Sequence, residues 1–258
     1  MTIIVLITVF ATLLLVVAVS NLIAGERRIR HQVERLYSIG DPDHLRVMNV
    51  LLGPPMSGDN HCAALINGRR IFAAMLADIG SARHSVCFET FIYWSGSIGR
   101  QFTEALSARA RAGVKVHVLL DWVGTLKLDD ALLACMRDAG VEVRRFHKPA
   151  WYSLGRMNNR THRKLLIVDG RVGFTGGVGI ADQWQGDAED ETQWRDTHFR
   201  ALGPVVAQMQ AVFIDNWIKA TGRVLHGREY FPRLESAGVM AAQMFSSSPS
   251  GGLEPRKI

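Results

Sequence analysis

The first two dozen residues carry the strongest hydrophobic pattern in the chain. From Thr2 to Ala24 the sequence runs TIIVLITVFATLLLVVAVSNLIA without a charge, and thirteen of the seventeen residues Ile3–Val19 are Ile, Leu, Val or Phe. A helix of that length reaches about 34 Å, enough for a hydrocarbon core of roughly 30 Å. The pattern predicts one transmembrane helix over residues 1–25. A cleaved signal peptide ending near Ala18-Val19-Ser20 competes with it, but no Lys or Arg precedes the apolar run. The basic cluster Glu26-Arg27-Arg28-Ile29-Arg30 follows instead, and the positive-inside rule keeps such a flank in the cytoplasm. The expected topology is a single pass through the cell membrane, with the rest of the chain on the cytoplasmic side.

Residues 26–58 read as a juxtamembrane linker, with a basic amphipathic stretch at Glu26–Leu36 and a turn-rich GPPMSGDN at Gly53–Asn60. Beyond it, helical and strand periods alternate. Ile71–Ile79 has helical spacing and Ser85–Tyr93 reads as an apolar strand. A helix over Ile98–Ala112 closes at Gly113, and Val114–Leu120 forms a β-branched strand ending at Asp121. A helix over Asp129–Ala139 closes at Gly140, and Val141–Phe146 is a further strand. This alternation predicts an α/β/α sandwich with a mixed, largely parallel sheet over 59–245. Gly203-Pro204 opens a framework helix over Val205–Lys219. Residues 246–258 are polar and rich in Gly and Pro, a terminal linker or the start of a missing second half.

Composition narrows the picture only a little. With 258 residues, 48% apolar and 21% charged, the chain can fill a real core, and disorder is excluded. Thirty Lys and Arg against 24 Asp and Glu give +6, which suits anionic partners such as phospholipid head groups or nucleic acid and equally suits plain solubility. Three cysteines without CxxC spacing argue against a disulfide framework and a zinc cluster, and fit a reducing compartment. No cofactor or metal is indicated. The acidic run Asp187–Glu191 reads as a solvated loop, His117 as a core histidine, and His198 as one held by a structural hydrogen bond. Trp151-Tyr152, in a polar stretch, is the aromatic pair best placed for a substrate-facing loop.

The chemistry concentrates in Arg160–Trp184, RTHRKLLIVDGRVGFTGGVGIADQW. Lys164–Val168 and Arg171–Thr175 are joined by Asp169-Gly170, the dipeptide of a type I′ hairpin. Alternation along an extended strand puts His162 and Lys164 on one side, about 7 Å apart along the chain, and Arg163 on the other. An imidazole beside an ammonium suits attack on a phosphate: the cation neutralises the oxygens and keeps the imidazole neutral. Asp169 has the opposite parity and acts indirectly, by fixing the turn, by accepting backbone N–H bonds or by holding a second cation. Gly176-Gly177 marks a place where backbone comes close to something, and an exposed N–H pair there would bind phosphate oxygens.

The string His162-x-Lys164-x4-Asp169 resembles the signature of the phospholipase D superfamily. FETFIYW (Phe88–Trp94), GVKVHVLLDWVG (Gly113–Gly124), TGG (Thr175–Gly177), IAD (Ile180–Asp182), WRD (Trp194–Asp196) and Gly203-Pro204 narrow the likeness to the cardiolipin synthase type. The resemblance implies a phospholipase D-like fold and metal-free phosphatidyl transfer through a phosphohistidine. It implies His162 as nucleophile, Lys164 as phosphate clamp and Asp169 as third motif member. The candidate substrate-binding set is Gly176, Gly177, Glu89 and Arg160, with Glu89 as the group that would orient the imidazole. Phospholipids, phosphatidylglycerol among them, are the implied substrates, the membrane is the implied partner, and nucleic acid is not.

Two departures stand out. The family pattern carries Asn where this chain has Gly179, and no second H-x-K occurs among the nine histidines. A second histidine must then come from a homodimer partner or from a missing C-terminal half, and the ending near Ile258 favours the latter. The competing functions are a homodimeric single-motif phosphodiesterase acting on nucleic acid and a non-catalytic lipid-binding protein.

Overall fold

The computed structural model describes residues 2–23, 38, 41–51, 53–146 and 161–246. Helix α1 covers Thr2–Ile23 and α2 covers Pro42–Leu51. There follow β1 (Ser57–Ile66), α3 (Asn67–Ser81), β2 (Ser85–Thr90), α4 (Ser97–Arg111), β3 (Lys115–Asp121), α5 (Asp130–Asp138) and β4 (Glu142–Phe146). The rest is β5 (Leu165–Val168), β6 (Val172–Gly176), a 3-10 turn at Asp182–Trp184, β7 (Thr197–Leu202), α6 (Val205–Thr221) and β8 (Met240–Ala242). Glu26–Leu36, Trp151-Tyr152, Arg160 and the tail from 247 lie outside the described residues.

The strands form one sheet in the order β4-β3-β2-β5-β6-β7-β1-β8. Only β2–β3 and β3–β4 pair in parallel; β2–β5, β5–β6, β6–β7, β1–β7 and β1–β8 are antiparallel. The sheet is mixed as expected but mostly antiparallel, which corrects the expectation of a largely parallel one. Helical crossovers through α4 and α5 set the direction of β2, β3 and β4. Beyond them a tight turn over residues 169–171 joins β5 to β6, and such a turn connects only antiparallel neighbours.

Both sheet faces are covered. Ile71, Phe72, Ile98, Phe102, Leu106, Leu133 and Met136 of α3, α4 and α5 pack on Phe88, Val118, Leu120, Leu166 and Phe174. On the other face Val206, Met209, Phe213 and Trp217 of α6 pack on Cys87, Leu119, Leu165 and Ile167. Each fully buried side chain of this size contributes about 1.5–3 kcal/mol. Leu165 and Ile167 go one way, Leu166 and Val168 the other, so β5 is a two-sided core strand whose parity fixes everything attached to it.

The turn-rich Gly53–Asn60 stretch is strand from Ser57 onward, a second correction. Asn60 explains it: fully buried, it donates to the carbonyls of Ser57, Gly58 and Met240 and accepts the Val205 N–H at 2.8 Å, so it caps α6. Its polarity reads locally as turn, whereas its bonds are long-range. In α1 the described side chains, 3–19, are all exposed, and Thr8 and Thr12 return their hydroxyls to carbonyls one turn back. Among the described residues no helix is long and apolar enough to cross a membrane.

Candidate active site

Residues 161–164 lead into β5 and keep its alternation. Arg163 points toward α6, where its guanidinium donates to the Val212 carbonyl at 2.9 Å and meets Asp215 at 3.4 Å. His162 and Lys164 point the other way. Lys164 Nζ lies 3.2 Å from His162 Nε2 and 3.1 Å from the His162 carbonyl. His162 is exposed while Lys164 is buried at 7% exposure, so the imidazole faces outward and the ammonium lies behind it. The Phe91 ring flanks both, 5.2 Å from the imidazole centroid and 5.8 Å from Nζ.

The register brings in residues that the motif does not contain. Leu165 pairs with Thr175, and Gly176 pairs with His198, so Lys164, Gly176 and His198 fall on one row across β5, β6 and β7. A Cβ on Gly176 would lie 2.6 Å from His198 Nδ1, and one on Gly177 would lie 2.2 Å from an Asp196 carboxylate oxygen. The glycine pair therefore makes room for His198 and Asp196, the close approach that its sequence suggested. Its N–H groups are not an exposed pair, because Gly177 N–H donates to the Thr197 carbonyl. Asp196 accepts from Trp184 Nε1 and from the Thr197 N–H.

Partial desolvation, reinforced by the neighbouring ammonium, holds the His162 imidazole below its usual pKa although the residue is exposed. Burial lowers Lys164 to about 8 against the opposing pull of Asp196. His198, 1% exposed, is pushed down to about 4 by burial and by Lys164. Its Nδ1 has no hydrogen-bond partner among the described residues, so the structural bond expected for His198 is absent there. Lys164 and His198 thus share a row, with His162 against the ammonium and Asp196 as the carboxylate beside it among the described residues, an arrangement that disfavours further positive charge and favours an anion. Asp196 and His198 lie nearly 30 residues beyond the end of the motif, and their only local signals were the glycine pair and the WRD string.

Other motif residues are structural. Asp169, with φ 53°, and Gly170, with φ 60°, form the type I′ turn, since both left-handed positions must be filled by residues that tolerate them. The Asp169 carboxylate accepts the N–H groups of Arg83, His84 and Ser85 at 2.7–3.2 Å, the second of its three expected roles. It stands at the far end of β5, about 16 Å along the strand from Lys164. Asp182 caps α4 through the N–H groups of Ser97 and Ile98, and Asp121 folds the DWVG turn through Val123 and Gly124. At Gly179 a Cβ would lie 2.7 Å from Ile92 Cβ, so Ile92 occupies the space an asparagine would need.

Glu89 does not reach the imidazole; its hydrogen bonds run to Thr161 and Asn216 on the α6 side. A groove of about 440 Å³ along the Asp182–Gln193 loop is lined by polar residues, and its lining does not include His162 or Lys164. His117 is a satisfied core histidine, bonded to Glu142 and Tyr230. Within Asp187–Glu191 the acidic residues Glu189, Asp190 and Glu191 are exposed, and Asp187 and Glu189 pair with Arg69.

The family described as "Cardiolipin synthase, PLD-like domain" matches residues 75–217, which include the H-x-K row, Asp196 and His198. The chain belongs to the phospholipase D superfamily, cardiolipin synthase type. It is 37% identical over 177 residues to cardiolipin synthase A of Pseudomonas fluorescens, covering 68% of this chain and 37% of that one. It is 34% identical over 208 residues to cardiolipin synthase 1 of Bacillus anthracis, covering 77% of this chain and 41% of that one. The chain thus spans about two-fifths of the length of these curated relatives. Among solved structures, phosphatidylserine synthase of Haemophilus influenzae matches with a TM-score of 0.53 at 12% identity, over 74% of this chain and 44% of that one, and shares the fold.

Proposed function

We propose that this chain supplies one half of a phosphatidyl-transfer site, with His162 as nucleophile and Lys164 as phosphate clamp. The observation that carries it is the 3.2 Å contact between Lys164 Nζ and His162 Nε2, with the imidazole exposed and the ammonium sunk behind it. A phosphodiester oxygen competes with Nε2 for the ammonium. When Nζ turns to that oxygen, the Nε2 lone pair is released for attack on phosphorus. An N–P bond forms while the P–O bond to the departing head-group alcohol breaks, and the alkoxide takes a proton from a general acid. The hydroxyl of a second phosphatidylglycerol then attacks phosphorus, loses its proton to the same group, and breaks the N–P bond.

That acid is a second histidine, supplied either by another copy of this chain about a two-fold axis or by a further half; general acids of this kind contribute typically 10²–10⁴-fold. Arg160, two residues before His162 in the sequence, would add positive charge. Asp169 contributes through the hairpin. The unit 1–25 would anchor the protein in the cell membrane with the 59–245 unit on the cytoplasmic side, so that acyl chains stay in the bilayer. The uncharged run Thr2–Ala24 of the sequence and the threonine hydroxyls that bond back within α1 support the anchor. Removing Thr2–Ile23 should then release the protein from the membrane fraction.

The test is incubation of the full chain with phosphatidylglycerol vesicles and, separately, with plasmid DNA. Lipid product that disappears in His162→Ala supports transfer. DNA nicking without lipid product points to a nuclease, and an unchanged biological effect of His162→Ala points to a lipid-binding protein.

A further inference from the structure

Behind the H-x-K segment, on the α6 face of the sheet, lies a carboxyl that touches neither His162 nor Lys164. Glu89 of β2 is 0% exposed. Its Oε1 accepts the Thr161 hydroxyl at 2.5 Å and Asn216 Nδ2 of α6 at 2.7 Å, and Nδ2 also lies 3.4 Å from Thr161 Oγ1. Glu89 Oε2 has no hydrogen-bond partner among the described residues. Among the described residues the charged groups facing it, Arg163 and Asp215, pair with each other.

We propose that Glu89 is a positioning residue which, tied to Asn216, grips Thr161 and thereby sets where the adjacent His162 imidazole stands relative to Lys164. The inference rests on the phosphatidyl-transfer role of His162.

Two observations lead there. Residues 161–164 precede the first paired residue of β5, so the sheet ladder does not fix them. Their described anchors are Lys164 in front and, behind, Thr161 on Glu89 and Arg163 on α6. The two rear anchors grip the residues on either side of His162, so loosening one rotates the imidazole rather than unfolding a strand. A misplacement of about 1 Å in such a frame is worth about 10²-fold in rate. The second observation concerns charge. A buried carboxylate with one oxygen unpaired is strongly unfavourable, whereas the acid form leaves both accepted bonds on Oε1 intact. Burial accordingly pushes Glu89 above the ordinary carboxylate pKa. Glutamine, neutral and of the same shape, presents the same carbonyl oxygen to Thr161 and Asn216.

The experiment compares E89Q, E89A and T161V with the wild-type full chain on phosphatidylglycerol vesicles. E89Q should keep about half or more of the wild-type kcat, while E89A and T161V lose about 10–100-fold in kcat with KM changed less than about threefold. Carbethoxylation of His162 by diethyl pyrocarbonate near pH 6, read from the mass of its peptide, is independent of lipid turnover. E89A and T161V should change its rate about threefold or more, because an imidazole displaced from the ammonium regains both its free lone pair and its basicity, and E89Q should not. Wild type inactive on lipid, with carbethoxylation in this order, leaves the positioning role standing, whereas lipid product that persists in His162→Ala sinks the transfer role. E89Q as damaged as E89A, or T161V with wild-type kcat and wild-type His162 reactivity, overturns the inference; T161V, which removes one hydroxyl, decides it even should E89A fail to fold.

Discussion

The two ends of β5 carry the two ends of one sequence motif, and they are built on opposite principles. At the Asp169 end the carboxylate is met by three backbone N–H groups and the turn has the dihedral angles its residues prefer. At the His162 end an ammonium is buried beside two imidazoles, one of them with a ring nitrogen lacking a partner among the described residues. The difference teaches that H-x-K-x4-D is not one constellation. One end is satisfied and holds the fold, while the other holds cationic and polar groups for an anion to complete.

The comparison breaks most sharply under substitution at Lys164. Exchanging it for Met should lower kcat by about 10²–10³-fold, as for loss of one preorganised donor to a developing charge, while Tm stays level or rises. If Tm falls with activity, the ammonium is a structural group and the contrast is lost. Asp169→Ala should do the reverse. It removes the acceptor of three N–H groups and leaves a left-handed φ to a residue that resists it. The expected loss of stability is about 2–4 kcal/mol by denaturant titration, with kcat of the folded fraction retained.

A smaller effect separates the ends by pH. Transfer needs His162 neutral and Lys164 charged. The rate on vesicles should therefore rise with pH through a His162 pKa below the usual 6.5, and fall as Lys164 loses its proton near pH 8. A rate still climbing at pH 9 would remove Lys164 from the chemistry.

The smallest effect concerns His198, whose pKa of about 4 in the folded chain lies below its unfolded value of 6.5. Between those values the unfolded chain binds more protons, so His198 lowers stability as pH falls, by at most about 1.4 kcal/mol per pH unit. His198→Gln should flatten the slope of urea midpoint against pH between about 6.5 and 4. An unchanged slope would mean that His198 is not buried uncharged.

What was legible followed from local physics. Asp169-Gly170 demands two left-handed residues and so declared its hairpin, and alternation then placed His162 with Lys164, Arg163 away from them and Asp169 apart. Helix ends at Gly113 and Gly140 were equally local. Strand direction was not legible, because β5 meets β2 antiparallel through pairing between residues more than 70 positions apart. Nor was β1, whose Asn60 looks like a turn residue until α6 arrives to be capped. Asp196 and His198 join the site only through the β6–β7 register, which the chain order does not reveal. Glu89 was singled out, but its parity turns it to the far face, where it meets Thr161 rather than His162.

The most direct test is to trap the intermediate. The full chain is mixed with labelled phosphatidylglycerol vesicles, quenched in alkali, where phosphoramidate bonds survive, and its peptides are mapped. The account predicts one phosphatidyl group on the peptide bearing His162, absent from His162→Ala. Lipid product formed by His162→Ala, or label carried by any other residue, would contradict it.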